Sequence, residues 1–262
     1  VKLKEIRSPF HLVEMSPWPL FSSVSAVCLV VGFVSWLSGG SLCLLFLGVG
    51  LVSAVLFQWW RDIIRESNQG WHTSYVASNV RLGMVLFIVS EVFFFFGFFW
   101  AFFSCSLVPG VEVGSVWPPV GIVPLNPFGL PLLNTAVLLG SGVSVTWAHH
   151  AVLAGDRKEA MIGLVFTIMM GLYFTFLQAC EYVECSFSIA DSVYGSLFYV
   201  MTGFHGVHVV MGTLILSVGF FRCFGFGFSS ERHLGLELGI WYWHFVDVVW
   251  ICLFLCVYWW GG

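Results

Sequence analysis

Charge is scarce in this chain. Asp, Glu, Lys and Arg together make up only 9% of its 262 residues, where a soluble domain carries about 25%. That shortage excludes a water-soluble globular protein, and a mean hydropathy of +0.93 points to a membrane protein. Short segments of alternating polarity are lacking too, which excludes a transmembrane β-barrel. None of the nine Pro falls in the interior of an apolar run, so the broken helices of many transporter sites are not expected. None of the eight Cys (28, 43, 105, 180, 185, 223, 252 and 256) belongs to a C-x-x-C pair. They read as small apolar fillers rather than as a metal or disulfide framework. No apolar core precedes position 18, so a cleavable secretory signal is not expected.

What is present is long apolar runs. A membrane-crossing helix needs about 20 mainly apolar residues. Such runs occupy roughly 18–37, 42–60, 82–104, 132–153, 160–181, 193–221 and 236–260. The expected fold is therefore all-α, a polytopic membrane protein with seven transmembrane helices forming one membrane domain over 1–262. With seven spans, all ten Lys and Arg fall on one side: Lys2, Lys4 and Arg7; Arg61, Arg65 and Arg81; Arg157 and Lys158; Arg222 and Arg232. The opposite loops hold Glu112, Glu184 and Asp191 instead. Basic residues stay on the side from which helices insert. The N-terminus is thus expected on the cytoplasmic or matrix side and the C-terminus on the other.

The first two runs are separated only by "LSGGS" (37–41), so 16–60 is expected to form an antiparallel hairpin. A polar stretch, 61–81, serves as an inner-side connector to a five-helix bundle over 82–262. Two bundles, two helices plus five, would leave a groove open to lipid. Six Pro lie between 109 and 131, which makes that loop stiff. It is either a plain connector or a segment folded against the membrane surface or a partner. In the fourth run Ala136, Gly140, Ser144 and Ala148 recur every four residues, a spacing that lets helix backbones approach closely.

Several residues invite a chemical reading. Glu91 stands in "MVLFIVSEVFFFFGFFWAFF" (84–103). Nine residues into its run, it sits about 13–14 Å deep at a rise of ~1.5 Å per residue. A charge there costs at least about 2.5–3.5 kcal/mol, so the neutral acid is the expected resting form. Glu91 is either a proton relay or polar anchor, or a carboxyl that only fixes helix packing. His205 and His208 share a helix face. His149 and His150 are adjacent, and His244 stands three residues before Asp247. Intramembrane His pairs ligate haem or copper in some proteins, but His149 and His150 point about 100° apart and cannot share one ion. In "QWWRDIIRESNQGWHTSYVASNVR" (58–81), Trp at headgroup level stands beside Arg, which grips phosphate bidentately. The segment reads as a phospholipid headgroup site or as ordinary interfacial anchoring, and Arg222 fits either reading.

Seven stretches resemble one family. They are "SPWPL" (16–20), "QWWRDIIRES" (58–67), "SEVFFFFGFFWAF" (90–102), "WPPVGI…PLNPFGLPLLNT" (117–135), "GVSVTWAHHAVLAGDRK" (142–158), "GFHGVHV" (203–209) and "WYWHFVDVVWICLFLCVYWWG" (241–261). In order, they resemble subunit III of cytochrome c oxidase, from about residue 16 to the C-terminus. The resemblance implies a non-catalytic core subunit of the haem–copper terminal oxidase, which reduces oxygen with electrons from cytochrome c and pumps protons. It implies no haem, copper or other cofactor in this chain, those groups lying in partner subunits. The implied partners are the catalytic subunit I, other oxidase subunits and bound phospholipids. Seven helices split two-plus-five by a V-shaped, lipid-filled cleft are implied as well. The compact length looks mitochondrial rather than bacterial, which implies the inner membrane with the N-terminus in the matrix and the C-terminus in the intermembrane space. Trp59, Trp60, Glu66, His72 and Arg222 match family positions near bound lipid, and Arg65 belongs to the same segment. Glu91 matches a buried carboxylate facing the cleft near a proposed oxygen entry path. This chain departs from the family in having Phe103 and Ser104 where Tyr-His is common, in lacking a Lys within 74–80, and in placing Trp71 where a His is common. A lone seven-helix transporter with Glu91 as relay, and a haem-bearing redox subunit using His205, His208 or His244, are the alternatives.

Overall fold

The computed structural model describes residues 10–262, so Lys2, Lys4 and Arg7 lie outside the described residues. Among those residues the chain is all-helical. Its helices are α1 (Trp18–Leu37), α2 (Cys43–Asn68), α3 (Ser74–Leu107), α4 (Leu130–Ala154), α5 (Arg157–Glu184), α6 (Ser192–Phe224) and α7 (Leu234–Leu253). The last continues as a π-helical stretch over Phe254–Trp260. All seven are long and apolar enough to cross a membrane.

The helix ends differ most from the hydropathy boundaries at two places. α2 runs on to Asn68 and α3 begins at Ser74, so most of 61–81 is helix and only five residues turn the chain. Arg61, Asp62, Arg65 and Glu66 are competent helix formers or join i,i+3 pairs. Arg65 Nη1 lies 3.6 Å from Asp62 Oδ1. Hydropathy stops at the first charge, whereas helix propensity does not.

The chain divides into two compact units, Val1–Leu82 and Gly83–Gly262. In the first, α1 and α2 pack through glycine. A Cβ on Gly48 would meet the Leu29 backbone at 2.5 Å, and one on Gly32 would meet Leu45 N at 2.5 Å. The two backbones touch, the geometry that small residues permit in lipid. At the other end of the hairpin, Trp18 Nε1 donates to Asp62 Oδ2 at 2.8 Å.

The second unit holds a dense core. α4 ends at Gly155, which has φ of +78°, a left-handed cap that a side chain would strain. Asp156 then opens α5 by accepting from the Lys158 and Glu159 backbone N–H groups, satisfying two otherwise free donors. This two-residue joint makes α4 and α5 antiparallel neighbours. Gly140, Ser144 and Ala148 face α5. Ser144 Oγ lies 2.7 Å from Thr167 Oγ1, and a Cβ on Gly163 would meet Ala148 Cβ at 2.9 Å. Trp243 of α7 is fully buried. Its indole lies against Gly171 of α5 and Gly212 of α6, where added methyl groups would approach it to 2.7 and 2.8 Å. Its N–H donates to Ser141 Oγ at 2.9 Å. A Trp in a core needs such a partner.

The Pro-rich loop is docked within this unit. Trp117 Nε1 donates to Gly261 O at 3.1 Å, and Ser186 Oγ donates to Val123 O at 3.3 Å. Asp191, just before α6, accepts from the Ser188 N–H at 2.7 Å and the Ser188 hydroxyl at 2.9 Å. Those bonds, the backbone one foremost, hold its carboxyl below the usual range.

Candidate functional site

The end of α2 carries the aromatic and basic cluster. Trp59 is half-buried and Trp60 exposed. Asp62 gathers the local donors, with Arg61 Nη2 at 3.2 Å and Arg65 Nη1 at 3.6 Å beside its bond from Trp18. The Arg65 side chain remains 63% exposed, which leaves most of its donor fork open to a ligand. One turn further, Glu66 Oε2 lies 3.6 Å from His11 Nε2. The His11 and His72 ring centres are 5.6 Å apart, and Trp71 stacks on His11 at 6.0 Å. Burial pushes the His72 imidazole below its ordinary 6.5, and the facing His11 adds to this while Glu66 opposes it. His11, Glu66 and His72 each present one ligand atom within 4.8 Å of the others, the one such group of three among the described residues. Two imidazoles and a carboxylate suit a divalent transition metal in kind. His11 was not singled out from the sequence, because it lies 55 residues before Glu66.

Arg222 stands at the end of α6, in the second unit. Its guanidinium lies over the Phe228 ring at 4.4 Å, and its Nε–H is buried without a hydrogen-bond partner. Arg157 is arranged differently. Its guanidinium donates to Cys223 O at 2.8 Å and to Phe224 O, capping the last carbonyls of α6. Of these two, Arg222 is the one that retains an unclaimed buried donor.

Glu91 has a partner that sequence spacing does not reveal. Its Oε2 lies 2.9 Å from His208 Nε2, 117 residues away. The side chains are 23% and 12% exposed. His208 Nδ1 lies 2.6 Å from Phe204 O. A carbonyl only accepts, so Nδ1 carries a proton. Nε2 then either accepts from a carboxylic acid or donates, as part of an imidazolium, to a carboxylate. In both cases a single proton lies between Glu91 and His208. Tyr242 stacks on the His208 ring at 6.2 Å, and Phe95 meets it edge-on at 5.2 Å.

The other histidines go separate ways. His205 is fully buried, with Nε2 3.2 Å from Val246 O and its ring against Trp250 and Phe174. His244 Nδ1 is 3.6 Å from Asp247 Oδ2, too far for a hydrogen bond, while its Nε2 is 3.3 Å from Thr146 Oγ1. His149 lies 5.5 Å from the ring of His233. His205 and His208 share a helix but not a ligand position. All eight cysteines are free. A buried acid that the sequence reading missed is Glu181. It is 1% exposed and accepts from Tyr258 at 2.5 Å. Its place near the end of an apolar run makes it look like an interfacial residue.

Comparison with known proteins bears on the whole chain. The family model for cytochrome c oxidase subunit III matches residues 8–262. Cytochrome c oxidase subunit 3 of Branchiostoma lanceolatum is 59% identical over 255 residues, covering 97% of each chain. The protein of the same name from Heterololigo bleekeri is 56% identical over 258 residues, 98% of this chain and all of the relative. That of Xenopus laevis is 57% identical over 254 residues, 97% of each. A match of this length, carried by seven membrane-crossing helices, leaves one assignment: the chain belongs to the cytochrome c oxidase subunit III family.

Proposed function

We propose that this chain is a non-catalytic core subunit of the oxidase. It braces the catalytic haem–copper subunit I, contacts other oxidase subunits and carries no haem or copper of its own. The observation that carries the reading is the likeness, at 56–59% identity over nearly the whole chain, to proteins named cytochrome c oxidase subunit 3. Its location is the mitochondrial inner membrane, with the N-terminus in the matrix and the C-terminus in the intermembrane space. The charge asymmetry of the loops supports that orientation.

Lipid binding is the second part of the reading. Trp59, Trp60, Arg65, Glu66 and His72 form one headgroup site. The exposed Arg65 fork receives phosphate, and the acceptors Glu66 and His72 receive an ammonium or hydroxyl of the headgroup. Arg222 forms another, supported by its buried, unpartnered Nε–H. Glu91 and His208 hold a proton inside the membrane, at a point where proton or oxygen access to the complex is shaped.

The test is gentle purification through this chain, followed by mass spectrometry and a reduced-minus-oxidised spectrum before and after stripping it away. Haem and copper subunits should co-purify, and all visible absorbance should stay with them. Absorbance leaving with this chain would make its histidines ligands, and a chain purifying alone would favour a lone transporter. In native mass spectrometry of the complex, Arg222→Gln should lose one phospholipid. Unchanged lipid stoichiometry would remove Arg222 from the site.

A further inference from the structure

In the second unit, Glu181 sits three residues from the end of α5, within a buried polar cluster drawn from three elements. Asn134 of α4 is 0% exposed, Gln178 of α5 6%, Glu181 1% and Tyr258 of the C-terminal stretch 2%. Tyr258 donates to Glu181 Oε1 at 2.5 Å, and Gln178 Nε2 approaches the same oxygen at 3.5 Å. The Asn134 amide stands close enough to act on the Glu181 carboxyl. Four buried atoms of the cluster have no hydrogen-bond partner: Glu181 Oε2, Gln178 Oε1, Asn134 Oδ1 and Asn134 Nδ2.

The count is unbalanced in one direction. With Glu181 ionised, three of those atoms are acceptors and only Asn134 Nδ2 is a donor. Buried polar atoms left without partners are costly, so the cluster is short of protons. The charge inventory points the same way. The titratable groups acting on Glu181 are Glu184 and Tyr182 of α5, Cys185 beyond its end, Tyr199 of α6, and Tyr258. None is a cation, and α4 contributes only the neutral Asn134 amide. A buried carboxylate needs a counter-charge, and here none of the groups acting on it supplies one.

We propose that Glu181 is a second proton-holding site of this chain, with a proton resident on Oε2 that is donated to the unclaimed amide oxygens of Asn134 or Gln178. That proton turns one surplus acceptor into the missing donor. It leaves Tyr258 bonded to Oε1, so one neutral carboxyl group ties α5 both to a neighbouring amide and to the C-terminal stretch. The ligand of this site is a proton, and the site is independent of Glu91 and His208, which belong to α3 and α6.

Infrared absorption of the intact oxidase complex tests this, comparing wild type with Glu181→Gln in ordinary and heavy water. The expected result is the loss of one carbonyl band of a neutral carboxylic acid, a band that moves to lower frequency in heavy water. Loss of the paired carboxylate bands instead would overturn the proposal. Should Glu181→Gln fail to assemble, Tyr258→Phe keeps the acid and removes one bond to its carbonyl oxygen. The acid band should then shift to higher frequency, and an unshifted acid region would overturn the assignment equally.

Discussion

The α1–α2 hairpin and the α4–α7 packing are both apolar and helical, yet they are held together by different means. Only 11% and 6% of the membrane-crossing windows of α1 and α2 are buried, against 56% for the α7 span. The hairpin therefore has almost no side-chain core. Its cohesion comes from two glycine-mediated backbone contacts and from one end tied by Trp18 and Asp62. The second unit instead buries Trp243, Trp250, Phe174 and Phe198 and threads hydrogen bonds between helices. In lipid, association gains nothing from hiding apolar surface from water, so close van der Waals packing and polar contacts must do the work. The hairpin relies mainly on the first, with the Trp18–Asp62 bond at one end, and the second unit uses both throughout.

Trp243→Ala should break the second unit and give the largest effect. It removes a fully buried indole from between Gly171 and Gly212 and takes away the N–H donor to Ser141 Oγ, whose hydroxyl keeps only its own bond to Leu138 O. Aromatic truncations of this kind cost roughly 3–5 kcal/mol. The expected outcome is failure of the chain to accumulate in the assembled complex, read by immunoblot of the purified oxidase. Normal accumulation would mean that partner contacts, rather than this core, hold the unit together.

The hairpin is sharpened by a smaller change. Gly48→Ala places a methyl group 2.5 Å from the Leu29 backbone, whereas a Cβ on Gly50, half a turn away, meets nothing within 4 Å. Overpacking costs about 1–3 kcal/mol. Gly48→Ala should lower the thermal midpoint for loss of this subunit from the complex, and Gly50→Ala should leave it unchanged. Equal midpoints for the two variants would show that α1 and α2 do not depend on the close approach.

The contrast also explains what could be read from the sequence. All seven spans were legible, because a run of apolar residues is a local signal that lipid enforces. The small-residue face of α4 was legible for the same reason, since Gly140, Ser144 and Ala148 repeat along one helix. The hairpin contact was not, because Gly32 and Gly48 carry no periodic signature and their meeting depends on where the turn falls. The extension of α2 past Trp60 was hidden by charges that pair with one another along the helix. The Glu91–His208 pair joins residues 117 apart, and the Glu181 cluster draws on three elements. Spacing along one element reports a face, whereas a site assembled across elements is visible only once they are packed.

The smallest expected effect concerns the end of the hairpin tied by Trp18 and Asp62, where polar contacts do exist. Burial, then the nearby His11, holds the His72 imidazole below 6.5, so the fold favours its neutral form. A group depressed in the folded state contributes stability above its unfolded value, and that contribution is lost as pH falls through the folded value. The 69–73 turn should therefore open progressively as pH drops below about 6.5. His72 is half-buried and partly screened, so the effect is modest. Hydrogen exchange of residues 69–73 in the intact complex, compared at each pH with His72→Gln, isolates it from the intrinsic pH dependence of exchange. Wild type should lose protection relative to the variant only on the acid side. Parallel profiles would mean that proton binding at His72 is not coupled to this turn.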